Sequence, residues 1–188
     1  MSDPAPILEQ LKIYQAKWQN ESATARRFID FISTYPDCFS RTLKIGHVTG
    51  SAWVVNKAGT HFLLTHHKKL NKWFQLGGHA DGDSDILRVA QREVLEESGL
   101  TNVVPLSDQI FDLDIHGIPE NKKEAAHDHY DIRYAFQVTE HEEYIVSGES
   151  HDLSWVEITN LSNYTTDDSM VRMAKKWQAR QRHAVDPT

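Results

Sequence analysis

Glu93, Glu96 and Glu97 stand at i, i+3 and i+4 in a segment whose apolar residues recur at helical spacing. On an α-helix that spacing projects all three carboxylates from one patch about a turn long. Like charges so close cost on the order of 0.2–0.5 kcal/mol per pair in a bare helix. A solvated acidic face carries such a cost easily, and Arg92 can relieve it by pairing with Glu96 four residues on. A metal site is the other reading, and the three residues by themselves leave both open.

The helix that would carry them is well delimited, over residues 84–98. Ser84 is a plausible N-cap, with Asp83 and Asp85 beside the positive helix terminus. Leu87, Ala90 and Val94 form the stripe that faces a core. Gly99 follows where a left-handed terminal residue is wanted, and Leu100 can pack back over the last turn.

The flanking residues add a motif. Gly78, Arg92, Glu93, Val94, Glu96, Glu97, Gly99 and Leu100 fill eight of nine defined positions in the pattern Gly, five residues, Glu, seven residues, Arg-Glu-apolar-any-Glu-Glu-any-Gly-apolar. This resembles the box of the Nudix hydrolases. The segments KWFQLGGHADGD and HDHYDIRYAF look like those of a bacterial Nudix subgroup of undefined substrate. The one departure is Ser84, where the box has glutamate.

The resemblance implies a mixed β-sheet sandwiched between helices and the hydrolysis of a diphosphate linkage in a nucleotide, nucleotide sugar or related compound. It implies that Glu93, Glu96 and Glu97, with the carbonyl of Gly77, bind Mg²⁺ or Mn²⁺, since hard oxygen ligands suit such ions. Arg92 would orient Glu93, either Glu93 or Glu97 would accept the proton of the attacking water, and Glu149 resembles a loop glutamate used as base or extra ligand. An exposed loop charge is the equal alternative for Glu149. Two other functions share the fold: a catalytically silent nucleotide-sensing module, and an isopentenyl diphosphate isomerase. The isomerase needs a cysteine before the helix, where this chain has Gly77-Gly78-His79.

Two later segments bear on the substrate. In 128–136, His129, Asp131 and Arg133 alternate with Tyr130, Ile132, Tyr134 and Phe136, and His127 comes just before. In 111–116, Asp112, Asp114 and His116 alternate with Phe111, Leu113 and Ile115. Each strand therefore has a core face and a strongly polar face. The polar residues suit recognition of a sugar, base or phosphate, with Arg133 as a clamp and His79 close to the carboxylate helix. A zinc reading of His127-x-His129 needs a third ligand from His116 or Asp131. A plain solvated sheet face is the third option. His66, His67, Lys68, Lys69 and Lys72 supply positive charge before the box, at the cleft or on a solvated turn.

These residues need elements to hold them. Ile7, Leu11, Tyr14 and Trp18, then Phe28, Phe31 and Ile32, mark two helices, the second capped by Ser22 or Thr24 and ended at Tyr35-Pro36. This hairpin, residues 1–43, reads as an appendage on the main domain at 44–182, or as the arm of a homodimer. Strands are expected at 46–56, 61–66, 73–76, 109–116, 128–138 and 152–157, and a last helix at 166–181 with Met170, Met173, Ala174 and Trp177 on one side. The fold class is thus α/β (α+β).

Composition sets outer limits. The 188 residues, 39% hydrophobic and 25% charged, are those of an ordinary globular chain. A net charge of -7 argues against a large nucleic-acid surface, though not against a small phosphorylated ligand screened by a cation. No apolar run is long enough for a membrane helix. The N-terminal residues lack the pattern of a signal peptide and Cys38 is the lone cysteine, so a cytoplasmic address is expected.

Overall fold

The computed structural model describes residues 3–68, 71–121, 124–148 and 150–185. Two helices open the chain, α1 (Ala5–Lys17) and α2 (Ser22–Thr34), joined by a 3₁₀ turn at Gln19–Glu21. Their apolar residues are buried together: Ile7, Leu11 and Tyr14 from the first, Phe28, Phe31 and Ile32 from the second. Neither Ser22 nor Thr24 caps α2. Ser22 is already helical and Glu21 holds the cap position without a side-chain bond, its carboxylate being taken by Tyr14 and Lys176.

The sheet is built around β1 (Gly46–Val55), buried at every position. Its alternate residues face two different cores. Val48, Ala52 and Val54 join the first core, while Trp53 and Val55 join the second. The hairpin strand β2 (His61–His67) meets β1 at Val55↔Phe62 and continues away from it, pairing with β3 (Lys72–Phe74) and with β8 (Ser150–Glu157). The strand expected at 73–76 is two strands. After β3 the chain breaks at Gln75 and changes partner, so that β4 (Leu76–His79) runs antiparallel to Thr49–Ala52 of β1.

The carboxylate helix, α3 (Ile86–Ser98), follows. Ser84 does not cap it. Asp85 does, its Oδ1 accepting the Arg88 amide at 3.1 Å, as the side chain best placed to reach the third amide of the first turn. Ser84 instead lines a cavity of about 300 Å³ between α1 and the start of α3. At the other end Gly99 takes the left-handed conformation (φ 69°). Short β5 (Val103–Pro105), which the sequence pattern does not indicate, and β6 (Asp112–Ile118) both pair with β7 (His127–Val138). The last runs parallel to β1 over ten residue pairs, from Gly46↔Asp128 to Val55↔Gln137. A helix α4 (Asp168–Val185) closes the chain.

A mixed sheet thus lies between helices. On one face α3, α1 and α2 cover Val48, Ala52, Leu76, Ile132, Tyr134 and Phe136. On the other, Met170, Met173 and Trp177 of α4 cover Trp53, Val55, Phe62, Leu64 and Val156. No helix among the described residues is long and apolar enough to cross a membrane.

Candidate active site

The carboxylates of α3 meet the end of β4 because the sheet is bare beneath the helix. A Cβ on Gly50 would stand 2.9 Å from Val89 Cγ1 and 3.0 Å from Ile86 Cγ2, and one on Gly78 would stand 2.5 Å from Glu93 Oε2. Those two glycines are register partners, so α3 settles onto a strip of the sheet without side chains. The helix buries Ile86, Val89, Ala90 and Val94 there.

Glu97 is 9% exposed, and its Oε2 accepts the amide of Gly77 at 3.0 Å. Glu93 is largely shielded, and its Oε1 accepts from Arg92 Nη2 at 2.9 Å. Burial pushes the Glu93 carboxyl above its ordinary range, against the pull of Arg92. The same Arg92 nitrogen donates to the carbonyl of His79 at 2.9 Å, tying helix to strand. Glu96 points outward, 3.8 Å from Arg92 Nε. Glu93, Glu97, Arg92, Gly77 and the backbone of His79 therefore converge at one place. Glu96 stands at its solvent side, and Glu149 lies outside the described residues.

Shielded carboxylates with few counter-charges, a further carboxylate at the rim and a backbone approach with no side chain in the way make an oxygen-rich cradle. That donor set fits a hard divalent cation.

The polar alternation of β6 and β7 is present, but it faces inward. Arg133 and Asp131 are each 2% exposed and Asp112 is 0% exposed. Asp131 accepts from Thr49 (2.9 Å), Ser51 (2.7 Å), Gln75 (3.2 Å) and Arg133 Nε (2.7 Å). The Arg133 guanidinium also meets Asp112 at 3.3 Å and Asp114 at 3.4 Å. From α4, Arg172 and Lys176 close on Asp112 at 2.7 Å each, and Lys176 Nζ reaches Glu21 at 2.8 Å and the Tyr14 hydroxyl at 2.6 Å. Burial alone would raise the Asp131 carboxyl, yet Arg133 and His116 hold it below the ordinary range. Asp114 is likewise desolvated, but the His116 hydrogen bond and Arg133 draw it down to about 2. The polar face expected to recognise a ligand, or to be solvated, is thus an internal charge network at Asp112, Asp131 and Arg133, because α4 and the α1–α2 turn bring their own charged groups to it.

Beyond Asp131 the same face becomes a cluster of histidines. The ring of His47 lies 5.0 Å from His79, 4.9 Å from His127 and 4.8 Å from His129. His116 lies 5.4 Å from His129 and is turned to Asp114 by a 3.1 Å contact. Burial and neighbouring imidazoles keep His47 neutral, its pKa pushed down to about 4, and His129 to about 3. His47 plays no part in the sequence reading. Its place follows from the parallel register that sets it opposite His129, and nothing local in the sequence signals that pairing. His66 stacks on Trp73, and Lys68 donates to the Gly148 carbonyl, so these residues belong to the β2–β3 end beside β8. Lys69 lies outside the described residues.

The family model of the NUDIX domain matches residues 47–177. Among solved structures, the chain resembles a Caenorhabditis elegans Ap4A hydrolase in a binary complex, with a TM-score of 0.59 and 18% identity over 72% of this chain and 97% of that one. A NUDIX family hydrolase from Clostridium perfringens gives 0.53 and 26% identity, over 71% and 97%. A MutT protein from Methanosarcina mazei gives 0.54 and 22%, over 74% and 97%. No curated protein matches the chain.

Proposed function

From the premise that the chain belongs to the Nudix family, whose domain model spans most of its length, we propose that it hydrolyses a diphosphate linkage in a nucleotide, nucleotide sugar or dinucleoside polyphosphate. Glu93, Glu96 and Glu97, with the carbonyl of Gly77, would hold Mg²⁺ or Mn²⁺. Such an ion neutralises phosphate oxygens and lowers the pKa of the attacking water. The observation that carries the reading is the convergence of Glu93 and Glu97 on the Gly77-Gly78 end of β4.

The chain's own residues have separable tasks in this proposal. Arg92 fixes Glu93 from one side while anchored to the His79 carbonyl, so that the carboxylate is held before substrate arrives. Glu93 or Glu97 takes the proton of the attacking water, and Glu149 is the loop candidate for the same task. His79 and His129 lie across the sheet from Glu93 and would meet only the part of the ligand that extends beyond the diphosphate. Asp131 and Arg133, saturated by each other and by Asp112, act by fixing the strand that presents those histidines. The segments KWFQLGGHADGD and HDHYDIRYAF favour a bacterial subgroup acting on a small molecule in the cytoplasm.

The test is phosphate release from a panel of nucleoside triphosphates, nucleotide sugars and dinucleoside polyphosphates, with Mg²⁺ or Mn²⁺ and with or without added phosphatase. The Ap4A hydrolase among the structural neighbours is a reason to include diadenosine tetraphosphate. Glu97→Gln should lower kcat by about 10²-fold or more, the scale of a lost general base. Turnover that is independent of metal, or unchanged in Glu97→Gln, sinks the assignment. Ligand binding with no turnover would turn the reading to a sensing module.

A further inference from the structure

Beyond hydrolysis at the carboxylates, we propose that His47, His127 and His129 form a second, separate metal site, selective for a borderline transition ion such as Zn²⁺. One ligating nitrogen from each of the three rings lies within 4.8 Å of the others. Around a tetrahedral ion, with bonds of about 2.0–2.1 Å, such nitrogens sit roughly 3.4 Å apart. Small ring rotations of about an ångström therefore close the set.

The second observation is an unmet need. His47 is only 3% exposed, and neither of its ring nitrogens has a hydrogen-bond partner among the described residues. The backbone of Leu43 lies near it without reaching hydrogen-bonding geometry. The Nε2 of His129 is buried and unpartnered as well. Buried polar atoms in folded proteins almost always have partners, so two such rings facing each other point to a missing one.

The third ring is already oriented for ligation. Nδ1 of His127 lies 2.8 Å from the carbonyl of Ala125. A carbonyl only accepts, so Nδ1 carries the proton and Nε2 presents its lone pair, the arrangement that outer hydrogen bonds impose on metal-binding histidines. The candidates named from sequence for the third position are engaged elsewhere. His116 is bound to Asp114, and Asp131 to Thr49, Ser51, Gln75 and Arg133. His47 takes the place instead.

The donor set decides the ion. Three imidazoles and no carboxylate suit Zn²⁺, Ni²⁺ or Co²⁺ and are poor ligands for Mg²⁺. The site is distinct from the carboxylate cradle, since Gly78 faces Glu93 on the α3 side while the ring of His79, the next residue, joins the histidines on the other face. Three protein ligands leave a fourth position for water, His79 or a ligand oxygen.

The full chain, stripped with a chelator, is titrated with Co²⁺ and its visible spectrum recorded. A single equivalent should give the bands of a four-coordinate nitrogen site, be displaced by Zn²⁺, and survive a large excess of Mg²⁺. His127→Gln, a change at the solvent side, should weaken Co²⁺ binding at least about 10-fold with an unchanged far-ultraviolet circular dichroism spectrum. Glu96→Gln, at the rim of the carboxylate cradle, should leave Co²⁺ binding intact. Absence of the bands, equal affinity in His127→Gln, or loss of binding in Glu96→Gln overturns the proposal. None of these results depends on turnover, so failure here is distinguishable from failure of the hydrolase assignment.

Discussion

Replacing Gly78 by alanine adds one methyl group at the point where β4 meets the carboxylate helix. An ideal Cβ there stands 2.5 Å from Glu93 Oε2, 2.6 Å from Cδ and 2.9 Å from Oε1. Comfortable contact begins at about 3.5 Å, so the carboxylate must retreat by roughly 1 Å. It can do so cheaply, because the clash is with the far end of a flexible side chain. Alanine also restricts the unfolded chain, worth about 0.4–1 kcal/mol in favour of folding. Net stability should therefore stay within about 1 kcal/mol, or some 2–4 °C in Tm for a chain of this size. Catalysis has no such tolerance. A group displaced by about 1 Å from its productive position costs on the order of 10²-fold in rate, and Glu93 is both proposed ligand and proposed base. Metal-dependent phosphate release and a thermal melt on the same preparation decide the matter. Activity within threefold of the parent chain would refute the placement of Glu93 in the reaction. Gly77→Ala is the contrast: its Cβ would fall 2.7 Å from Ser51 Cβ and 2.8 Å from Ser51 Cα, where backbone must move, and Tm should fall as well.

Lys176→Met removes the ammonium that joins Asp112, Glu21 and Tyr14. Because Arg133 and Arg172 still face Asp112, the loss should be about 2–4 kcal/mol, at or below the usual range for breaking a buried pair. Urea unfolding measures it, and a loss under about 0.5 kcal/mol would show the network to be slack. Asp114 gives a pH signature: its carboxyl sits near 2 in the fold against 3.8 ordinarily. The resulting stabilisation of about 2 kcal/mol is complete above the ordinary carboxyl range and is lost as the pH falls toward 2. Asp114→Asn should therefore be less stable at neutral pH and show a shallower acid limb in a series of melts.

Legibility in the sequence followed the range of the interaction. Helix α3 could be read because its stripe, its terminal glycine and its carboxylate spacing all lie within 23 residues of Gly78. Its start lies at Ile86 rather than at residue 84, since Ser84 and Asp85 are both good caps and the choice depends on which side chain reaches the Arg88 amide. The split at Gln75 was not legible, because a change of pairing partner leaves no mark on alternation. Alternation also showed which residues of β6 and β7 share a face without showing what covers it. The cover comes from Arg172 and Lys176, which lie among Met173 and Trp177 on the buried side of α4. Two cations inside an apolar stripe are a signal, present in the sequence, that acids wait opposite.

The histidine cluster has a cause that no single segment contains. Thr49 and Ser51 reach Asp131 only in the register Thr49↔Asp131. That register sets His47 opposite His129, and the antiparallel pair Thr49↔His79 brings the ring of His79 to the same face. A slip of one residue would turn Val48 toward Asp131 and His47 toward the apolar core on the other face, breaking two buried hydrogen bonds and burying an imidazole among apolar side chains. The hydroxyls that satisfy Asp131 therefore also assemble the imidazoles. Replacing Thr49 by valine should loosen the histidine site as well as the charge network, although Thr49 touches none of the proposed ligands through its hydroxyl.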